Sequence, residues 1–280
     1  MGLNTLVKIK DLQHSDDSCV FANPNEMIFR NLFIGLIVGL TSSCCHRAVV
    51  AASLDIMQPS IEQEATSIWQ TINNISFFEE QGYTIRLPQD SLIDSLIRKS
   101  KKGTFGNEDF PAIYALLETK IFSQKNYEQA IRKISLQSDL IIHCIEKIDS
   151  LRKGWDWNFT YFETYKVRLT LYGTGGSYDP DEGIITLYTD ADGHFIKYEN
   201  PANTIIHEII HMGMEYSMIR KYKLPHGLKE RLVDTFIAIL FEDELPNYKI
   251  QNMGDVRINE FISQLDDINS LNEIVAEFTK

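Results

Sequence analysis

The stretch TIIHEIIHMGMEYSM, residues 204–218, carries two histidines four apart, His207 and His211, with Glu208 beside the first. On a helix, positions i and i+4 share a face one turn apart, so both imidazoles can reach a single Zn2+ at about 2.0–2.1 Å. Glu208 is rotated by about 100° from His207. It can hold a water on such an ion without being a ligand. The neighbours Ile205, Ile206, Ile209, Ile210 and Met212 make the helix a buried one. Burying two histidines and a carboxylate among them costs free energy unless all three are satisfied, and a metal satisfies them.

A catalytic zinc takes three protein ligands and keeps one position open. Three sources of the third ligand can be compared with the chain. A histidine six residues after His211, following a glycine, does not occur: Ser217 and Met214 hold those places. No downstream Gly-Thr-x-Asp segment follows. A glutamate about twenty residues on, with an acidic residue one turn later on the same helix, does occur: LKERLVDTF supplies Glu230 and Asp234.

With HEIIH and ERLVD together, the chain resembles the gluzincin zinc metallopeptidases, the thermolysin-like clan, over roughly residues 165–243. The resemblance implies a zincin-like order of strand, active-site helix and ligand helix. It implies one Zn2+ per chain held by His207, His211 and Glu230, with Glu208 as the general base. Asp234 is then the carboxylate that orients a ligand histidine. The implied reaction is hydrolysis of a peptide bond in a peptide or protein substrate. Such enzymes pair extended substrate with an edge strand, for which GIITLYT, 183–189, is the candidate. The oxyanion donor is left open among Tyr222, His226 and Tyr248. Two other readings stand beside this one. One is a catalytically idle zincin-fold binding protein, against which the intact Glu208 argues, because a structural zinc needs no base. The other is a different zinc hydrolase on the same helix, with Cys144 or His226 as third ligand.

These residues need elements to carry them. With 280 residues the chain has room for one large domain or two small ones. Its 44% hydrophobic and 24% charged residues are ordinary for a globular protein. A net charge of −12 and no long basic run speak against nucleic acid as a partner. The four cysteines, Cys19, Cys44, Cys45 and Cys144, include no C-x-x-C pair, which removes a cysteine-based zinc ribbon.

Residues 27–45, MIFRNLFIGLIVGLTSSCC, read as an export signal: Arg30, an apolar run from Leu32 to Leu40, then small residues. The acidic segment before Met27 suits no such signal, so translation is expected to start at Met27. Cleavage near Val49-Val50-Ala51 gives a secreted or periplasmic protein, whereas lipidation at Cys44 gives one tethered to the cell-envelope membrane. Residues 1–57 are therefore assigned to an N-terminal targeting region, with the signal or lipoprotein segment at about 27–51. Residues 58–153 show helical periodicity and form an expected helical subdomain, in which His143 is placed on an apolar face as a structural residue. Residues 154–280 form the expected metallopeptidase domain. There YKVRLTLYG and IITLYTD read as strands, GTGGSYDPDEG as a loop whose acidic residues make a solvated turn, and ADGHFIKYEN as a turn into a third short strand. Asn200 and Pro201 open the histidine helix, a second helix runs from about Gly227 to Asp243, and the tail adds one or two more. The fold class is α+β, mostly helical, with a small sheet ahead of the histidine helix.

Overall fold

The computed structural model describes residues 52–80, 82–195 and 199–280. The expected start at Met27, the export segment and the lipidation at Cys44 lie outside the described residues. Strand β1, Ser53–Ile56, comes first, within the span assigned to targeting. Helix α1, Ile61–Asn73, starts at Ser60, whose hydroxyl accepts from the Gln63 amide at 3.2 Å. Ala65, Ile68 and Ile72 form its inward stripe. Helix α2, Ile75–Glu80, is short. Asp90 caps α3, Ser91–Lys101, by accepting from the Leu92 amide at 2.9 Å. Helices α4, Phe110–Leu116, α5, Glu128–Ser135, and α6, Ser138–Leu151, complete this half.

These helices serve two cores. Residues of α1, α3 and α4, among them Ile68, Ile72, Ile93, Leu96 and Ile113, form one cluster. The inward faces of α5 and α6 join a larger cluster with the sheet and the carboxyl-terminal helices. The apolar face of α6 is Ile141, Cys144, Ile145 and Ile148. His143 is not on it: its side chain is 62% exposed, 3.7 Å from Glu244. One residue off the stripe is a 100° rotation, enough to carry it to solvent.

The rest of the sheet comprises β2, Thr164–Thr170, β3, Ser177–Asp179, and β4, Ile184–Tyr188, in the order β1-β2-β4-β3. Only β3 runs antiparallel to its neighbour. Tyr165, Val167, Leu169, Ile185 and Leu187 are buried and alternate with more exposed residues. Register places Arg168, Thr186 and Ser177 in one cross-strand row, and Val167, Ile185 and Tyr178 in the next row on the opposite face.

Two expectations change here. The segment 173–183, read as loop, contains β3. The segment 183–189, read as the substrate-pairing edge, contains β4, which is interior. The edge on this side is β3. The turn between them explains both differences. Asp179 accepts from the amides of Asp181 and Glu182 at 3.0 and 3.2 Å, and Gly183 takes φ +65°. That is the geometry of a tight reversal, and it folds SYD back along β4. Of the expected third strand the described residues show one bridge, Thr189 to Phe195; residues 196–198, which fall within it, lie outside the described residues.

Helix α7, Pro201–Met214, opens as expected. The Asn200 side chain accepts from the Ala202 amide at 3.0 Å and Pro201 sits in the first turn. All 14 of its residues are buried. It widens into a π-helical turn, Glu215–Arg220. Helix α8, His226–Leu240, follows Pro225, and α9, Leu265–Asn269, and α10, Leu271–Phe278, close the chain. The described residues are thus mostly helical, with one small four-stranded sheet. Among the described residues, no helix is long and apolar enough to cross a membrane.

A candidate metal centre between α7 and α8

Helices α7 and α8 bring His207, His211 and Glu230 to one point. The Nε2 atoms of His207 and His211 are 2.9 Å apart. Glu230 places Oε2 3.2 Å from His207 Nε2 and Oε1 3.4 Å from His211 Nε2. Tetrahedral donors at 2.0–2.1 Å from an ion stand about 3.3 Å from one another. The three side chains therefore fit a small cation, and all are buried, at 5%, 2% and 6% exposure. Among the described residues one other trio has metal-ligand types, Asp190, Asp192 and His194, with the last two exposed. There Asp190 accepts from the amides of Asp192 and His194, which is turn chemistry. Cys144 is in neither group; burial and the Glu244 charge push its thiol up to about 12, so it stays protonated.

The outer side of His207 is held by a chain of groups. Tyr248 donates its hydroxyl proton to Asp234 at 2.5 Å. Its oxygen lies 2.6 Å from His207 Nδ1 and therefore accepts from that nitrogen. A proton fixed on Nδ1 leaves the Nε2 lone pair facing the cluster, which is the tautomer that a metal requires. Asp234 Oδ1 is itself 3.3 Å from Nδ1, and Oδ2 accepts from the Gln251 amide at 2.6 Å. The Gln251 side chain donates to Glu230 at 3.0 Å. His211 is held otherwise. Its ring stacks on Tyr178, with centroids 5.3 Å apart and planes within 6°, and its buried Nδ1 has no hydrogen-bond partner among the described residues.

The electrostatics follow from this packing. Burial alone would lower the His207 pKa, but the hydrogen bonds to Asp234 and Glu230 and the charges of Glu208 and Glu230 raise it to about 9. His211 is lowered to about 4, chiefly by burial and secondarily by the neighbouring His207. Burial would raise Glu230, yet its two histidine contacts hold it well below the usual carboxylate range. Asp234 is also lowered: His207, Tyr248 and the Gln251 amide outweigh its burial.

A cleft of about 460 Å³ opens onto the three ligands. Glu208 is one of its walls, 7% exposed and outside the ligand trio. The backbone of residues 174–177 forms the facing wall. It runs so close to Glu208 that a Cβ on Gly176 would lie 2.7 Å from the carboxylate oxygen. Lys229 and His226 stand on the α8 side, and Tyr83 reaches in from the amino-terminal half.

Of the three residues left open for oxyanion duty, two are placed elsewhere. Tyr248 lies behind His207, on the side away from the cluster. Tyr222 bonds to Asn272 on α10 and does not line the cleft. His226 alone lines it, with Nδ1 3.6 Å from Glu230 and Nε2 3.5 Å from the Tyr83 hydroxyl. Reasoning from sequence missed Tyr178, Gln251 and Gly176, and named Tyr248 only among the open candidates for oxyanion donor.

Comparison with protein-family models, with curated proteins and with solved structures gives no match. Function must therefore be read from the site.

Proposed function

We propose that the protein is a zinc-dependent peptidase of the gluzincin type. The observation that carries this reading is the combination of three converging ligands with a fourth carboxylate, Glu208, which faces the same cleft without joining them. A structural metal site closes its coordination and needs no such group. His207, His211 and Glu230 would hold the ion, with two imidazoles and one carboxylate as a donor set suited to zinc. When bound, zinc supplies Lewis acidity that polarises a carbonyl and makes water a nucleophile near neutral pH.

The chain's own groups do the rest. Glu208 takes a proton from the attacking water and delivers it to the leaving amine. His226, exposed at the rim, donates a hydrogen bond to the oxygen on which negative charge develops. The free edge of β3 supplies backbone donors and acceptors to an extended peptide, by the strand-addition mode. Asp234 and Tyr248 keep His207 in the ligating tautomer throughout.

Glu208→Gln tests the reading. The amide keeps the size and hydrogen-bonding capacity of the carboxyl group but cannot accept the proton. We expect zinc to be retained and turnover of a peptide that the wild type cuts to fall by at least about 10²–10⁴-fold at equal occupancy. Activity within about threefold of wild type would show that Glu208 is not the base, and the mechanism would fail.

A further inference from the structure

A second cavity, of about 500 Å³, lies beside the cleft on the other side of β3's leading segment. The two cavities share Tyr83 and residues 174–177 as a common wall. The second is polar. Gln63, Ser67, Gln70 and Thr71 of α1 face Arg168 and Thr186 on the sheet. Among the described residues lining it, Arg168 is the one charged side chain, and no carboxylate is present to balance it. The Arg168 side chain makes no hydrogen bond or ion pair with the described residues, and its Nε is shielded from solvent without a partner among them. A half-buried guanidinium in that condition has a fork of donors arranged for a carboxylate, with its shielded Nε left unpaired among the described residues.

Sheet geometry connects this arginine to the cleft. Arg168, Thr186 and Ser177 form one cross-strand row, so Arg168 lies two strand spacings, roughly 10 Å, from the free edge of β3. Tyr178, next along β3, points to the opposite face and stacks on His211. A peptide added to that edge would send alternate side chains to opposite faces of the sheet. One set would turn towards the metal ligands and the other towards the Arg168 cavity.

We propose that this cavity is a selectivity subsite in which Arg168 binds a carboxylate of the peptide substrate. This rests on the peptidase reading and adds a substrate class to it: peptides with an acidic group at one fixed position relative to the cut. The carboxylate has two sources, an aspartate or glutamate side chain or the free carboxyl terminus. Thr186 and the hydroxyl and amide groups of α1 supply the remaining polar lining. Arg168 is a specificity residue and takes no part in bond cleavage.

The test compares the zinc-loaded wild type with Arg168→Gln on hexapeptides matched in pairs. One arm places Glu or Gln at each position in turn, and a second has a free or an amidated carboxyl terminus. The wild type is expected to favour the acid by about 10- to 100-fold in kcat/KM, carried by KM, at a single position or at the terminus. The responding arm identifies the source. Arg168→Gln should lose this preference while cutting the uncharged peptides within about twofold of wild type. Arg168→Lys should keep part of it, and Arg168→Glu should turn it towards a lysine at the same position. Equal rates for acid and amide in the wild type, or an unchanged preference in Arg168→Gln, would overturn the proposal. If nothing is cut, the peptidase reading fails and the subsite is judged by binding alone. Rhodamine-labelled peptides of the same pairs are then titrated into both proteins and followed by anisotropy. An acid preference lost in Arg168→Gln supports the subsite, and its absence in the wild type overturns it.

Discussion

At the scale of single residues, the candidate centre depends on a proton held in one place. Tyr248 donates a hydrogen bond to Asp234 and accepts one from His207 Nδ1, so in the neutral ring the Nε2 lone pair faces the cluster. Tyr248→Phe removes that acceptor and leaves Asp234, at 3.3 Å, as the remaining partner of Nδ1. We expect zinc affinity to fall about 10- to 100-fold, read by competition with a chromophoric chelator, and Asp234→Ala to fall in the same range. A second expectation concerns pH. With His207 raised to about 9 and His211 lowered to about 4, the metal-free protein at pH 7 holds one proton more on the pair than two neutral imidazoles would, and an incoming ion must displace it. Protons then compete with the metal. Apparent affinity should rise about tenfold per pH unit from 7 towards 9 and level off above it. Calorimetry in two buffers of different ionisation enthalpy should find about one proton released per ion at pH 7. The candidate ligands were legible in the sequence because a helix converts spacing into direction: His207 and His211 share a face by arithmetic. Tyr248 and Gln251 were not, since they reach the site from a loop whose path no local spacing encodes. Tyr178 was hidden inside a segment read as loop.

At the scale of elements, α7 can be buried on every side because its neighbours come very close. A Cβ on Gly213 would lie 2.0 Å from the Phe159 ring, and the Thr160 amide donates to the Gly213 carbonyl at 3.0 Å. Gly213→Ala should therefore cost about 1–3 kcal/mol of stability through overpacking, despite the better helix propensity of alanine. Chemical denaturation of the metal-free protein would measure it. The helices with caps and stripes were visible beforehand: Asn200 with Pro201, and the helical periodicity of residues 58–153, to which Ile68 and Ile72 belong. The sheet was harder. Three residues of β3 are too few to show an alternation, and their pairing depends on the Asp179–Gly183 turn. The resemblance pointed to β4 as the edge because it is a strand that precedes the histidine helix. Order along the chain says nothing about which strands lie on either side.

For the whole molecule, an ion that binds only the folded state should stabilise it by mass action. Free zinc at 100 times its dissociation constant adds about 2.7 kcal/mol, or about 5–10 °C in melting temperature for a chain of this size. Chelation should reverse the shift in the wild type and leave a His207→Ala variant where it was. The acidic composition spoke against nucleic acid as a partner on general grounds, but it gave no sign of the Arg168 cavity. A single unpaired arginine barely alters a net charge of −12.

The pairing of β1 with β2 has a consequence in time. Ser53 and Thr164 meet across 111 residues, whereas His207 and Glu230 are separated by 23 and His207 and Tyr248 by 41. Closing the longer loop costs about 1.4 kcal/mol more than closing the shortest of these, and parallel strands gain nothing until that closure is made. The histidine–glutamate cluster can therefore assemble while the far edge of the sheet is still open. During refolding, metal should be captured early, and protection of the β1 amides against hydrogen exchange should appear late, on a clock that added zinc does not advance.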